Sequence, residues 1–200
     1  MSLGERFGEV MCAAQRGDES AIATLYTDLN PRLARYLAAR VPREADDLCS
    51  EVWLQVARRI PSFEGDERAW FGFVFLVARR LVNDHWKRQR RRRTEPVAPE
   101  ELIDEPSAVD VEALGLGTVA TAEAIKLVNK HLSGDQADVL LLRVIAGLDV
   151  DEVASVTGKR PGTVRVLQHR ALRRLAAGLE PSLVARGSGE PGPTLEAGLT

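Results

Sequence analysis

Two arginine-dense stretches and one cluster of carboxylates are the residues of this chain whose chemistry can be read from type and spacing. Between Arg79 and Arg93 stand Arg79, Arg80, Lys87, Arg88, Arg90, Arg91, Arg92 and Arg93, against the single acid Asp84. Between Gly158 and Leu179 stand Lys159, Arg160, Arg165, Arg170, Arg173 and Arg174, with no acid. Cations at this density suit a phosphate backbone. Trp70, Phe71, Phe73, Phe75 and Trp86 accompany the first run, and aromatic rings beside Arg or Lys are what single-stranded bases stack on. Phe73 and Phe75 fit core packing better. Trp86, beside the basic residues, fits either use.

The carboxylates Asp46, Asp47 and Glu51 fall on one turn-spaced cluster. Hard divalent cations take oxygen ligands, so such a cluster could serve metal-assisted phosphoryl chemistry. No second acidic cluster or positioned base lies at a comparable spacing, and a solvated or protein-facing stripe accounts for the acids more simply. Cys12 and Cys49 form no metal-ligand pair, and His85, His131 and His169 are scattered, so no structural zinc is expected. No catalytic residue and no cofactor is expected; the chain reads as a binding protein and not an enzyme.

These groups must be held by a soluble framework. The 200 residues are 44% hydrophobic and 28% charged, which allows one medium domain or two small ones. The longest apolar run, Trp70 to Ala78, is far short of the roughly 20 residues that cross a bilayer. Glu5 and Glu9 at the start argue against a secretory signal, and a cytoplasmic location follows. The formal charge of -2 hides a strong asymmetry. From Thr94 to Ile125 there are acids, Glu95 through Glu123, and no base, with Pro96, Pro99, Pro106, Gly115 and Gly117 among them. That composition predicts an acidic, flexible linker. The division is therefore residues 1–93, a linker 94–118, a second domain 119–179, and a disordered tail 180–200 rich in Gly, Pro and Ser.

Hydrophobic spacing makes both domains all-α. Asp18 caps a helix through Ile22, Leu25 and Leu29, which Pro31 should bend before Leu33, Tyr36 and Leu37 resume its apolar face. A helix from Glu44 to Ile60 buries Leu48, Val52 and Val56, leaving Asp47, Glu51, Leu54 and Arg58 outside. Pro61 to Asp66 is a loop, and a third helix runs from about Arg68 to Arg90. In the second half, Ser133–Gln136 and Asp149–Glu152 have the spacing of capping boxes. Gly147 and Gly158 suit left-handed helix ends, and Pro161 suits a first helical position.

Two short helices about a Gly-containing turn, the second dense in arginine, predict a helix-turn-helix whose last helix enters the major groove of duplex DNA. On its outer face Arg165, His169 and Arg170 could reach base edges and Val166 a thymine methyl. Lys159, Arg160 and Thr163, at the start of that helix, suit phosphate contacts.

With these elements placed, the chain resembles the extracytoplasmic-function (ECF, group 4) sigma factors of the sigma-70 family. The resemblance rests on EADDLCSEVWLQV (44–56), GFVFLVARRLVNDH (72–85) and GTVRVLQHRALRRL (162–175), in the family's order and spacing. It implies two DNA-binding helical domains that direct core RNA polymerase to promoters. Asp47, Ser50 and Glu51 would face the polymerase clamp. Phe63, Gly65, Asp66, Arg80 and Asp84 would bind the nontemplate strand of the minus-ten element, with Lys87, Arg88 and Arg90 gripping phosphates. Arg165, Val166, His169 and Arg170 fall where the family reads the minus-thirty-five duplex. Arg80 stands where many members carry Asn, Phe73 where Trp is usual, and Arg160 where a small polar cap is common. An anti-sigma factor is a further partner the resemblance allows. The competing reading is a conventional helix-turn-helix regulator that acts without polymerase.

Overall fold

The computed structural model describes the backbone of residues 3–94 and 119–187, and side chains of 3–91 and 125–177. The acidic linker and the end of the tail lie outside the described residues. Eight α-helices follow in order, with no strand among the described residues: α1 Phe7–Gln15, α2 Glu19–Arg40, α3 Ala45–Ala57, α4 Glu67–Thr94, α5 Val119–His131, α6 Gly134–Val144, α7 Val150–Thr157 and α8 Pro161–Gly187. None is long and apolar enough to cross a membrane.

Helix α2 begins where its cap dictates, with Asp18 Oδ1 accepting from the Ala21 N–H at 3.0 Å, and continues unbroken through Pro31. Its apolar stripe, Leu25, Leu29, Leu33, Tyr36 and Leu37, is fully buried. Against it pack Val52 and Val56 of α3 and Trp70, Val74, Phe75 and Ala78 of α4, each 1% exposed or less. A Leu or Phe buried to this degree contributes roughly 1.5–3 kcal/mol. These contacts fix α3, which carries Asp47, Ser50 and Glu51, and the first four turns of α4, which carry Arg80. Helix α3 ends at Ala57, short of the expected Ile60, and Ile60–Ser62, with Pro61 within it, forms a separate 3-10 turn ahead of the loop.

In the second half Val139, Leu142, Leu148, Val153, Val156, Val164 and Ala171 are buried. Both capping boxes form. The Ser133 N–H donates to Gln136 Oε1 at 3.2 Å. Asp149 Oδ1 accepts from the N–H groups of Asp151 and Glu152 at 2.8 and 2.9 Å, and the Asp149 N–H donates to Glu152 Oε2 at 2.6 Å. Gly147 and Gly158 take φ of 73° and 66°, the left-handed values that a side chain disfavours.

Two features differ from the sequence expectation. Helix α8 does not stop near Leu179 but runs through Pro181 to Gly187. The residues after Pro181 include the good helix formers Leu, Ala and Arg, and proline removes one backbone hydrogen bond from the helix. The two halves also do not stand apart: α4 packs on α7 and α2 touches α6, so one continuous apolar cluster joins them.

Candidate nucleic-acid and polymerase interfaces

Three surfaces carry the expected residues. On α3, Asp47, Ser50 and Glu51 are all exposed, on the face opposite Leu48, Val52 and Val56. Leu54, 63% exposed, sits among them. The back of this face is braced by Asn30, whose Oδ1 accepts from Trp53 Nε1 at 2.9 Å and from Cys49 Sγ at 3.3 Å. Burial, reinforced by Asp46, pushes the Cys49 thiol up to about 11, so at neutral pH it is a protonated donor and not a nucleophile or metal ligand. No group of three or more potential metal ligands occurs among the described residues. A solvated carboxylate face with an exposed leucine suits docking to a protein.

The second surface follows α4. In the loop ahead of it, Asp66 Oδ1 accepts from the Ala69 N–H at 2.8 Å and so caps the helix. Gly65 has φ of 147°, and a Cβ there would lie 2.7 Å from the Ala69 Cβ and 3.3 Å from the Phe63 ring. Only glycine fits. Phe63 is half-buried, edge-on to Trp70 at 5.3 Å, with Phe73 at 6.1 Å, and its carbonyl accepts from Gln15 Nε2 at 2.7 Å. The ring therefore anchors the loop as well as edging its surface. From Asp66, Arg80 lies about 20 Å along the helix and Arg90 about 35 Å, at 1.5 Å rise per residue. Leu76, Arg80, Lys87 and Arg91 share one exposed stripe. Asp84 Oδ1 accepts from Lys87 Nζ at 3.3 Å, and its carbonyl from Arg88 Nε at 3.3 Å. Trp86 is 37% exposed and meets His85 edge-on at 5.6 Å. Phe75 is buried, as core packing required, and Phe73 packs against the core.

The third surface is α8. Val164 and Ala171 are fully buried, which turns Thr163, Arg165, Val166, His169 and Arg170 outward, all exposed. Arg160 is exposed as well, but Lys159 is not free: its Nζ donates to Asp135 Oδ2 at 2.9 Å. Arg173, one turn beyond Arg170, joins the same side and lines a cleft with Gln136, Arg170 and Arg174. Its i+3 spacing from Arg170 was the signal for it. Sequence reasoning missed a further set altogether. Arg68 pairs with Asp149 and, at 3.3 Å, with Glu152, while Arg79 and Arg40 close on Asp138 at 2.8 and 3.0 Å. These join the two halves, and partners 59 to 98 positions apart leave no periodic trace in the chain.

Comparisons with known proteins identify the family of the chain. Residues 25–92 match sigma-70 region 2 and residues 123–175 match sigma-70, region 4. The chain is 34% identical over 177 residues to the ECF RNA polymerase sigma factor BldN of Streptomyces coelicolor, covering 86% of this chain and 65% of that protein. It is 31% identical over 180 residues to the ECF sigma factor SigD of Mycobacterium tuberculosis, covering 86% of this chain and 83% of SigD. In fold it is similar to CnrH, solved with the cytosolic domain of CnrY, with a TM-score of 0.65 at 18% identity over 88% of this chain and 99% of the other. RpoE of Bartonella quintana, solved with the anti-sigma factor NepR, gives 0.60 at 20% identity over 78% and 94%. The α3–α4 and α6–α8 surfaces thus fall within regions 2 and 4 in turn, and the chain belongs to the ECF RNA polymerase sigma factors.

Proposed function

We propose that this chain is a promoter-specificity subunit: α3 docks on core RNA polymerase through Asp47, Ser50 and Glu51, while α4 and α8 bind two separate promoter elements. The loop Phe63–Asp66 and the stripe through Arg80 and Asp84 take the nontemplate strand of the minus-ten element. Lys87, Arg88 and Arg90 hold its phosphates. Helix α8 reads the minus-thirty-five duplex through Arg165, Val166, His169 and Arg170, with Thr163 and Arg160 on the backbone. The protein performs no chemistry on substrate. Stacking and trapping of extruded bases, about 1–3 kcal/mol each, offset the cost of melting. The NepR complex of RpoE supports an anti-sigma factor as a further partner.

The observation that carries this reading is the exposed cationic track of α4. A one-site operator binder needs only α8, and a regulator acting alone has no use for a second basic helix beside a bare carboxylate face. Glu51→Arg is expected to abolish capture of core polymerase and run-off transcription while leaving binding of an upstream duplex intact. Transcription undiminished in that variant would overturn the docking assignment. Duplex binding by the wild type with no effect on polymerase would favour the conventional regulator.

A further inference from the structure

The loop between α3 and α4 is held by a part of the chain that lies ahead of the stretch matching sigma-70 region 2, which begins at residue 25. Glu64, Gly65 and Asp66 at its tip are exposed, whereas Phe63 before them and Glu67 after them are half-buried. Each of these two flanking residues is tied to the N-terminal segment. Gln15, the last residue of α1, donates from Nε2 to the Phe63 carbonyl at 2.7 Å, across 48 positions of sequence. The Glu67 carboxylate accepts from the Leu3 N–H at 2.6 Å and from the Gly4 N–H at 3.1 Å.

The helices so joined are seated without these ties. Helix α1 buries Phe7, Met11 and Ala14. Helix α4 buries Trp70, Val74 and Phe75 and is already capped by Asp66. What the ties restrict is the tip. Gly65 has φ of 147°, and glycine has more backbone freedom to lose than any other residue when a loop is fixed. The tip also buries no apolar side chain of its own. The Phe63 ring on Trp70 anchors one side of it. With the Phe63 carbonyl and the Glu67 carboxylate held as well, both ends are set against α1 and Gly4–Arg6, the 3-10 turn that leads into α1. A binding loop shaped before its ligand arrives loses less conformational freedom on binding and holds its contacts to a tighter geometry.

We infer that Gln15 and Glu67 are positioning residues for the minus-ten element: they fix the Phe63–Asp66 loop, through the N-terminal segment, in the shape that takes extruded bases. The inference rests on the assignment of that loop to the nontemplate strand made above. Base selectivity at the loop is then a property of α1 as well as of the loop itself.

The test assembles the full chain with core polymerase, offers a nontemplate-strand oligonucleotide randomised over the minus-ten positions, and sequences the strands retained. Gln15→Glu keeps the shape of the side chain and removes its N–H; Gln15→Lys restores a long donor. In Gln15→Glu the preference at the positions taken by the loop is expected to fall about tenfold, the upper range for one net hydrogen bond. Preference at other positions, capture of polymerase and binding of an upstream duplex should stay at wild-type levels. Gln15→Lys should recover most of the lost preference. Glu67→Gln, which keeps one acceptor, should shift the same positions about threefold. Glu9→Gln, an exposed acid on α1, should shift none. Without DNA, hydrogen exchange should quicken in Gln15→Glu at the Phe63 amide, which donates to the Ile60 carbonyl at 3.1 Å, as the loop opens more often. Unchanged selection in Gln15→Glu and Glu67→Gln overturns the inference. So does a loss spread evenly over all positions and over polymerase capture, which is what a role in fold stability alone would give. A wild-type complex that forms yet selects no strand overturns the function assigned to the loop and the inference with it, whereas unaltered selection in the variants overturns the inference alone.

Discussion

Helices α4 and α8 are both cationic, yet they are mounted in opposite ways. The first half of α4 is driven into the core, with Trp70, Val74, Phe75, Ala78 and Val82 each at 1% exposure or less. Beyond Val82 it has no buried residue up to Arg91. Helix α8 buries only Val164 and Ala171 among its described residues and takes its position from the capped α6 and α7. One is a beam anchored at one end with a charged overhang; the other is a shallower rod that buries two small side chains fully and packs Leu167 and Leu175 partly against the core. An overhang with aromatic and basic side chains suits a flexible strand that wraps it. A rod that presents Arg165, Val166, His169 and Arg170 together on its outer side suits a rigid groove.

The difference can be pressed hardest through stability. Trp70→Ala should cost about 3–5 kcal/mol and Val164→Ala roughly half that or less, because the cost scales with the volume left empty. Urea melts followed by circular dichroism would show it; equal losses would mean that α8 is as deeply rooted as α4. A second contrast concerns readout. Arg165→Ala is expected to lose about 1–3 kcal/mol for the matched duplex and to relax selectivity at a single base pair, seen by competition across single-position variants of the site. A uniform loss over all positions would make Arg165 a backbone contact. The smallest effect belongs to the overhang. Lys87→Ala should weaken strand binding evenly across sequences and lower the slope of log affinity against log salt by about 0.7. A sequence-dependent loss there would erase the distinction between the two helices.

What could be read from the chain was what neighbouring residues settle among themselves. Asp18, Asp149 and Gly158 form caps and a turn with partners a few positions away, and the outward face of α8 follows from burying Val164 and Ala171. Less local features escaped. Helix α5 was not anticipated, its stretch of small residues following directly on the acidic spacer. Lys159 looks like a phosphate contact until Asp135, 24 residues earlier, is found beside it. Phe63 reads from the chain only as a surface aromatic, and its second part, packing on Trp70 and Phe73 to anchor the loop, shows only in the fold. Asp138 reads as one more acid in a helical segment, because Tyr36, Arg40 and Arg79 come together around it only when the halves dock.

The placement of the three tryptophans gives the molecule a built-in optical reporter. Trp70 is sealed in the core, and Trp53 is half-buried and tied to Asn30. Trp86, 37% exposed, is the most open of the three, and it sits among the basic side chains of the α4 overhang. Emission from the red edge of the spectrum therefore comes chiefly from the position that a captured strand would meet, and a nucleobase stacked on that indole would quench it without any attached dye.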